Sequence, residues 1–149
     1  MTHKSALLIF PHQLFEDHPA LRLRPDVVVL IEDSLFFGDA KYSAQFHKQK
    51  LWFHRASMTR FSSMLRQENV DVEHEEHNRE FGALRLFLSK FAAQGGSKIL
   101  LAEPHDFVLE RRLNQLCEQH RLEQVRVRTP MFLNSSEENR DYRDGKTRW

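Results

Sequence analysis

The sequence has one cysteine, Cys117, so it cannot form an internal disulfide, which suits a reducing compartment. Glycine is also scarce, with five residues in the whole chain. No Gly-x-Gly-x-x-Gly or Gly-Lys-Ser/Thr loop follows any strand-like segment. This argues against the usual dinucleotide loop and against a P-loop, both of which need glycine where backbone approaches phosphate. A Gly-x-Ser-x-Gly elbow is missing as well, which argues against an esterase. No apolar run approaches the ~20 residues of a membrane helix, and no apolar leader opens the chain, so the expectation is a cytoplasmic protein with no membrane contact. Neither sign of charge dominates: 22 Lys and Arg stand against 21 Asp and Glu, a net charge of +1. Arg and Lys lie along helical segments with acids among them, so a steeply salt-dependent affinity for nucleic acid is not expected.

What the chain does have is an apolar content of 40% in 149 residues, enough for one domain with a core, together with 12 Phe and 9 His. Ser5 to Phe10 is an almost continuous apolar run, as in a strand covered on both faces. It ends in a turn at Pro11-His12-Gln13-Leu14. His18 to Leu21 reads as one helical turn. Asp26 to Ile31 is the strongest strand, β-branched and preceded by Pro25. It leads into a loop, Glu32 to Gly38. A long helix is expected from about His47 to Gln67, with Leu51, Met58, Phe61 and Leu65 on its apolar stripe. Val70 to His74 alternates like an edge strand. Arg79 to Ala93 carries Phe81, Leu84, Leu88 and Phe91 at helical spacing and stops at Gly95-Gly96. Lys98 to Ala102 is a fourth strand. Asp106 can cap a helix bearing Leu109, Leu113 and Leu116, on whose face Cys117 reads as a buried structural thiol. Gln124 to Arg128 is a fifth strand, and Asn134 to Trp149 is a polar tail without periodicity. Alternating strands and helices predict an α/β, Rossmann-like three-layer sandwich with a five-stranded parallel sheet in the order 3-2-1-4-5.

In such a sheet the ligand site lies beyond the carboxyl ends of the strands. The segments meeting there are 11–14, 32–37, 74–77 and 103–106. Glu32 and Asp33 can act as an acid–base pair, accept hydrogen bonds from a heterocycle, or simply cap a loop. Phe36 and Phe37 can stack on a ring or belong to the core. Gln13 can both donate and accept, which suits reading a ring edge. Lys48 sits in a basic first helical turn, where it either tolerates an unfavourable dipole or meets an anion. His74 and His77 offer two metal ligands, but no third is identifiable, so no metal is expected. No nucleophile with its base is apparent, and no catalytic residue is assigned.

Leu8 to Leu14, Val29 to Asp33 with Phe36-Phe37, Phe46 to Leu51 with His54 to Met58, Glu103-Pro104 and Met131 to Leu133 together resemble the deoxyribodipyrimidine photolyase-related proteins, the bacterial iron–sulfur branch of the cryptochrome/photolyase family. The resemblance covers essentially the whole chain. It implies an antenna domain, residues 1–133, followed at 134–149 by a polar tail or the start of a linker to a helical domain. In relatives that second domain holds FAD and an iron–sulfur cluster, binds damaged DNA and performs the light-driven carbon–carbon lyase reaction. This chain matches only the α/β half. It is therefore expected to contact DNA only through the absent domain and to have no catalysis of its own. The resemblance implies an antenna chromophore, 6,7-dimethyl-8-ribityllumazine, held by His12, Gln13, Leu14, Glu32, Asp33, Phe36, Phe37, Lys48 and Glu103. His12 stands where relatives often have Asp. Two other readings are a stand-alone interaction or regulatory domain, free of ligand and able to self-associate through the exposed docking face, and a small nucleotide-binding enzyme with Glu32 or Asp33 as base.

Overall fold

The computed structural model describes residues 3–42 and 45–146. Five strands, Ser5–Ile9 (β1), Val27–Ile31 (β2), Val72–Glu75 (β3), Lys98–Ala102 (β4) and Glu123–Val127 (β5), form one parallel sheet in the order β3-β2-β1-β4-β5. The helices are Ser34–Phe37 (α1), Lys48–Gln67 (α2), Ala83–Ala93 (α3), Phe107–His120 (α4) and Ser136–Asp144 (α5), with a 3-10 turn at Pro19–Leu23. Order and connectivity are those expected from the sequence.

The continuous apolar runs in β1, β2 and β4 follow from burial on both faces. Successive side chains of a strand point to opposite sides. Ala6, Leu8, Phe10, Val27, Val29 and Ile31 therefore join α3 and α4 in one core layer. Leu7, Ile9, Val28 and Leu30 join Met58, Phe61 and Leu65 of α2 in the other. Leu51 is only half-buried, at the margin of this second layer. β3 and β5 lie at the edges and carry more polar residues. Cys117 is buried, and burial pushes its thiol up to about 11, so it is a packing group.

Three expectations are corrected, and in each case local hydrogen bonding overrides the apolar pattern. The loop after β2 contains a helical turn, α1, because the Asp33 carboxylate accepts from the Leu35 amide at 2.9 Å. α3 begins at Ala83 and not at Arg79. Asn78 binds the amides of Glu80 and Phe81 in a turn, and Gly82 has φ +77°, so no helix can run through it. Phe81 is consequently exposed. The aperiodic tail contains α5, started by a reciprocal capping box between Ser135 and Glu138. α5 buries no residue.

α3 ends in a Schellman motif, in which Gly96 N–H donates to Phe91 O and Gly95 N–H to Ala92 O, with Gly95 at φ +89°. A Cβ on Gly96 would lie 2.3 Å from Cε1 of Phe91, a buried ring stacked on Phe87. Gly96→Ala is expected to cost ~2 kcal/mol by overpacking and to lower the melting temperature by ~6 °C. A thermal melt matching wild type within error would mean that Phe91 turns aside freely.

Candidate functional site

The carboxyl edge of the sheet is built around Phe36 and Phe37, carried there by α1. The ring of His12 stacks on Phe36 with centroids 5.0 Å apart. His54, on α2, meets Phe36 edge-on and lies 6.0 Å from Phe37. His77 stacks on the far side at 5.9 Å from Phe37. Imidazoles and phenyl rings thus alternate across the ends of β1 and β2.

The turn after β1 is tied across the switch point. Gln13, fully buried, donates through Nε2 to the carbonyls of Ala102 and Glu103 at 3.1 and 3.2 Å. His12 Nε2 lies 2.8 Å from the carbonyl of Pro104. A carbonyl only accepts, so Nε2 carries the hydrogen, and in neutral His12 the Nδ1 lone pair is an acceptor. Burial lowers the pKa of His12, against the raising influence of the Pro104 carbonyl and Asp106. Burial also lowers that of His54, helped by Lys50 and His12. Five buried polar atoms in this region have no hydrogen-bond partner: His12 Nδ1, Gln13 Oε1, His54 Nε2, His74 Nε2 and His77 Nδ1.

Glu32 closes the floor beside β3. Its side chain is fully buried, and four nitrogens surround its two oxygens. Arg55 donates Nε to Oε1 at 2.8 Å and Nη2 to Oε2 at 2.5 Å. The His77 amide donates to Oε2 at 2.9 Å, and His74 Nε2 stands 3.2 Å from Oε1. Burial alone would raise the Glu32 pKa, but His74, Arg55 and the His77 amide outweigh it and hold the carboxyl at about 2. Three hydrogen bonds from Arg55 and the His77 amide, with His74 at ion-pair distance, engage both oxygens of Glu32 within the protein.

Residues 7–149 match the family model described as deoxyribodipyrimidine photo-lyase-related protein. The chain belongs to that family. It is also similar to a protein of Acanthamoeba polyphaga mimivirus named "Uncharacterized protein R852", with 27% identity over 146 residues, 96% of this chain and 73% of that protein.

In this photo-lyase-related chain the remaining sequence-derived candidates occupy different places. Asp33, nearly buried, caps α1, and Arg112 Nη1 lies 3.7 Å from its Oδ1. Burial raises its pKa, opposed by the Leu35 amide and by Arg112. Arg112 also donates to Ser34 Oγ and binds Asp39 at 2.5 Å, on the wall of a separate cleft of about 550 Å³ that reaches the 78–82 turn. Leu14 packs on the α2-side core. Glu103 accepts from the Thr129 amide at 3.3 Å and lies 3.4 Å from His105, on the β5 side. Lys48 is exposed at the start of α2, whose cap is the His47 side chain. His12, Gln13, Phe36 and Phe37 are therefore brought together, whereas the Glu103 and Lys48 side chains are not shown in contact with them.

Two residues of this photo-lyase-related site, His54 and Arg55, carry no individual role in the sequence pattern, and His77 stands there only as half of an incomplete metal pair. His54 and Arg55 stand within the His54 to Met58 motif. A seven-residue step from Lys48 to Arg55 along α2 was the only hint that a cation faces the strand ends. His74 lies in β3, as the alternating pattern implies, and His77 follows in the loop; the contact of both with Glu32 is what the sequence does not show. Among the described residues no group of three or more His, Cys, Asp or Glu is placed to hold a metal ion.

Proposed function

We propose that this domain binds a flat, hydrogen-bonding heteroaromatic chromophore at the carboxyl edge of its sheet, as the light-harvesting part of a photolyase-type system. One observation carries the reading: the unpartnered buried atoms gathered around Phe36 and Phe37. An unmet buried polar atom costs ~1–3 kcal/mol, so such a cluster points to a ligand or ordered water. Gln13 Oε1 and neutral His12 Nδ1 are both acceptors, so the ligand must present donors, such as a ring imide N–H or the hydroxyls of a ribityl chain. Phe36 and Phe37 supply stacking surface. These features fit 6,7-dimethyl-8-ribityllumazine, which when bound would absorb near-ultraviolet and blue light. His12 and Gln13 would accept from it, and His54 and His77 would offer further polar contacts. Glu32 acts one step back, by holding Arg55 and the end of β3. An iron–sulfur cluster does not fit this chain, whose one cysteine is buried with a raised pKa.

Titration with 6,7-dimethyl-8-ribityllumazine, followed by its absorbance and fluorescence, tests the reading. Gln13→Ala should weaken binding about tenfold or more. Binding should also fall as the pH drops through the lowered pKa of His12, beneath its ordinary 6.5, because protonating His12 removes the Nδ1 acceptor. The interaction-domain reading predicts no spectral change at ~100 µM ligand, a concentration that detects affinities down to the 100 µM range.

A further inference from the structure

The cations of α2 are not mixed with acids, contrary to the expectation from the sequence. Lys48, Lys50, Arg55, Arg60 and Arg66 share the helix with no Asp or Glu. Beside it runs a groove of about 720 Å³, with Phe37, Leu51 and Trp52 on its walls, Arg55, Arg60 and His77 on its rim and no carboxylate in its lining. Arg55 is neutralised by Glu32, whereas Arg60 has no charged partner among the described residues. Trp52 is 74% exposed, an unusual state for the largest apolar side chain.

A second unsatisfied surface lies at the other end of the same molecular edge. α5 buries nothing and carries four acids, Glu137, Glu138, Asp141 and Asp144, against two arginines. Glu138 is occupied by the capping box and Asp144 by Arg143, which leaves Glu137 and Asp141 without charged partners among the described residues. Just before α5, Leu133 is 99% exposed and Phe132 is half exposed.

The groove starts at the carboxyl edge of the sheet and runs roughly 12 Å along α2 from Trp52 to Arg60, and the tail leaves from the same edge. A crossover helix between parallel strands starts at that edge, so the first turns of α2 lie there, on the β2–β3 side. The chain leaves β5 at the same edge, on the opposite side. Strands ~4.8 Å apart separate the two sides by roughly 15–20 Å, so the surfaces are held apart within one chain. A twofold axis through the middle of the edge, near β1, would lay each tail over the α2 groove of another copy, in a self-complementary contact.

We propose that two copies of this chain associate about such an axis, with Leu133 and the first turn of α5 of each copy seated in the Trp52–Arg60 groove of the other. Leu133 fills the apolar groove, and Glu137 meets the Arg60 guanidinium. The contact covers Leu133 and Trp52, two of the three most exposed large apolar side chains among the described residues. It does not depend on the chromophore reading.

The test is sedimentation of the full chain from ~1 to ~500 µM, a span that resolves weak dimers. Wild type should show a concentration-dependent dimer, weakened by added salt. Arg60→Glu and Leu133→Asp, both at exposed positions, should each weaken it about tenfold or more. In an equimolar mixture of the two variants, one groove and one tail remain intact together, so association should partly return. A wild type that stays monomeric throughout, a dimer indifferent to both substitutions, or a mixture no better associated than either variant alone would overturn the proposal.

Discussion

Arg55→Ala is expected to lower the melting temperature at pH 7 by ~6–12 °C. Arg55 is half exposed, but the carboxylate it holds is fully buried. Removing the guanidinium leaves Glu32 with only the His77 amide and His74. Stranding a buried charge costs ~3–5 kcal/mol. The exposed side of this pair lets water in, so ~2–3 kcal/mol is the expected loss. At ~3–4 °C per kcal/mol for a chain of this size, that gives the stated shift. The pair also sets an acid limit. The folded pKa of Glu32, about 2, lies below its ordinary value of 4.5. Its contribution is therefore complete above pH 4.5 and is lost as the pH falls from 4.5 towards 2. Glu32→Gln should remove that part of the acid dependence. A thermal shift below ~2 °C for Arg55→Ala, within the scatter of ordinary surface changes, would show that water or another side chain replaces the guanidinium.

His18→Asn is expected to flatten the loss of stability between pH 6.5 and pH 4. His18 is 2% exposed, and its Nδ1 accepts from the Ala20 amide at 3.3 Å, capping the 3-10 turn that leads into β2. Nε2 has no partner, and burial lowers the pKa to about 4. In the unfolded chain the imidazole takes a proton near pH 6.5. Between these values the unfolded state binds a proton that the folded state refuses, so stability falls as the pH drops from 6.5 to 4. A shift of this size corresponds to roughly 3–3.5 kcal/mol. Asn keeps an oxygen at the cap and does not titrate. His12 and His54 are shifted in the same direction, so some slope should remain. Urea unfolding at pH 7, 5.5 and 4.5 measures the slope. Equal slopes for wild type and variant would place the acid sensitivity elsewhere.

The strands were the most legible part of the chain. β1, β2 and β4 are nearly uninterrupted apolar runs because both faces of each are covered, and that need is written locally. The motif residues Pro11 to Leu14 and Glu32 to Phe37 were found because a parallel sheet presents its loops at one edge. The side-chain partners were less legible. Glu32 read as a group free to meet a ligand, yet its oxygens are taken by residues 23 and 45 positions away. Gln13 read as a ring-edge reader, yet its amide nitrogen ties two strand ends across 89 residues. α5 and the late start of α3 were missed because both are set by capping and turn hydrogen bonds, which leave no apolar period to detect.

Apolar runs and chain connectivity are enough to define the sheet, its order and the edge at which chemistry can gather, since burial pattern and the handedness of crossovers depend on local composition. Only the tertiary structure decided which polar atoms at that edge are spent on the protein and which remain unmet. Hydrogen bonds are satisfied by proximity in space, and proximity between segments scores of residues apart is a product of packing.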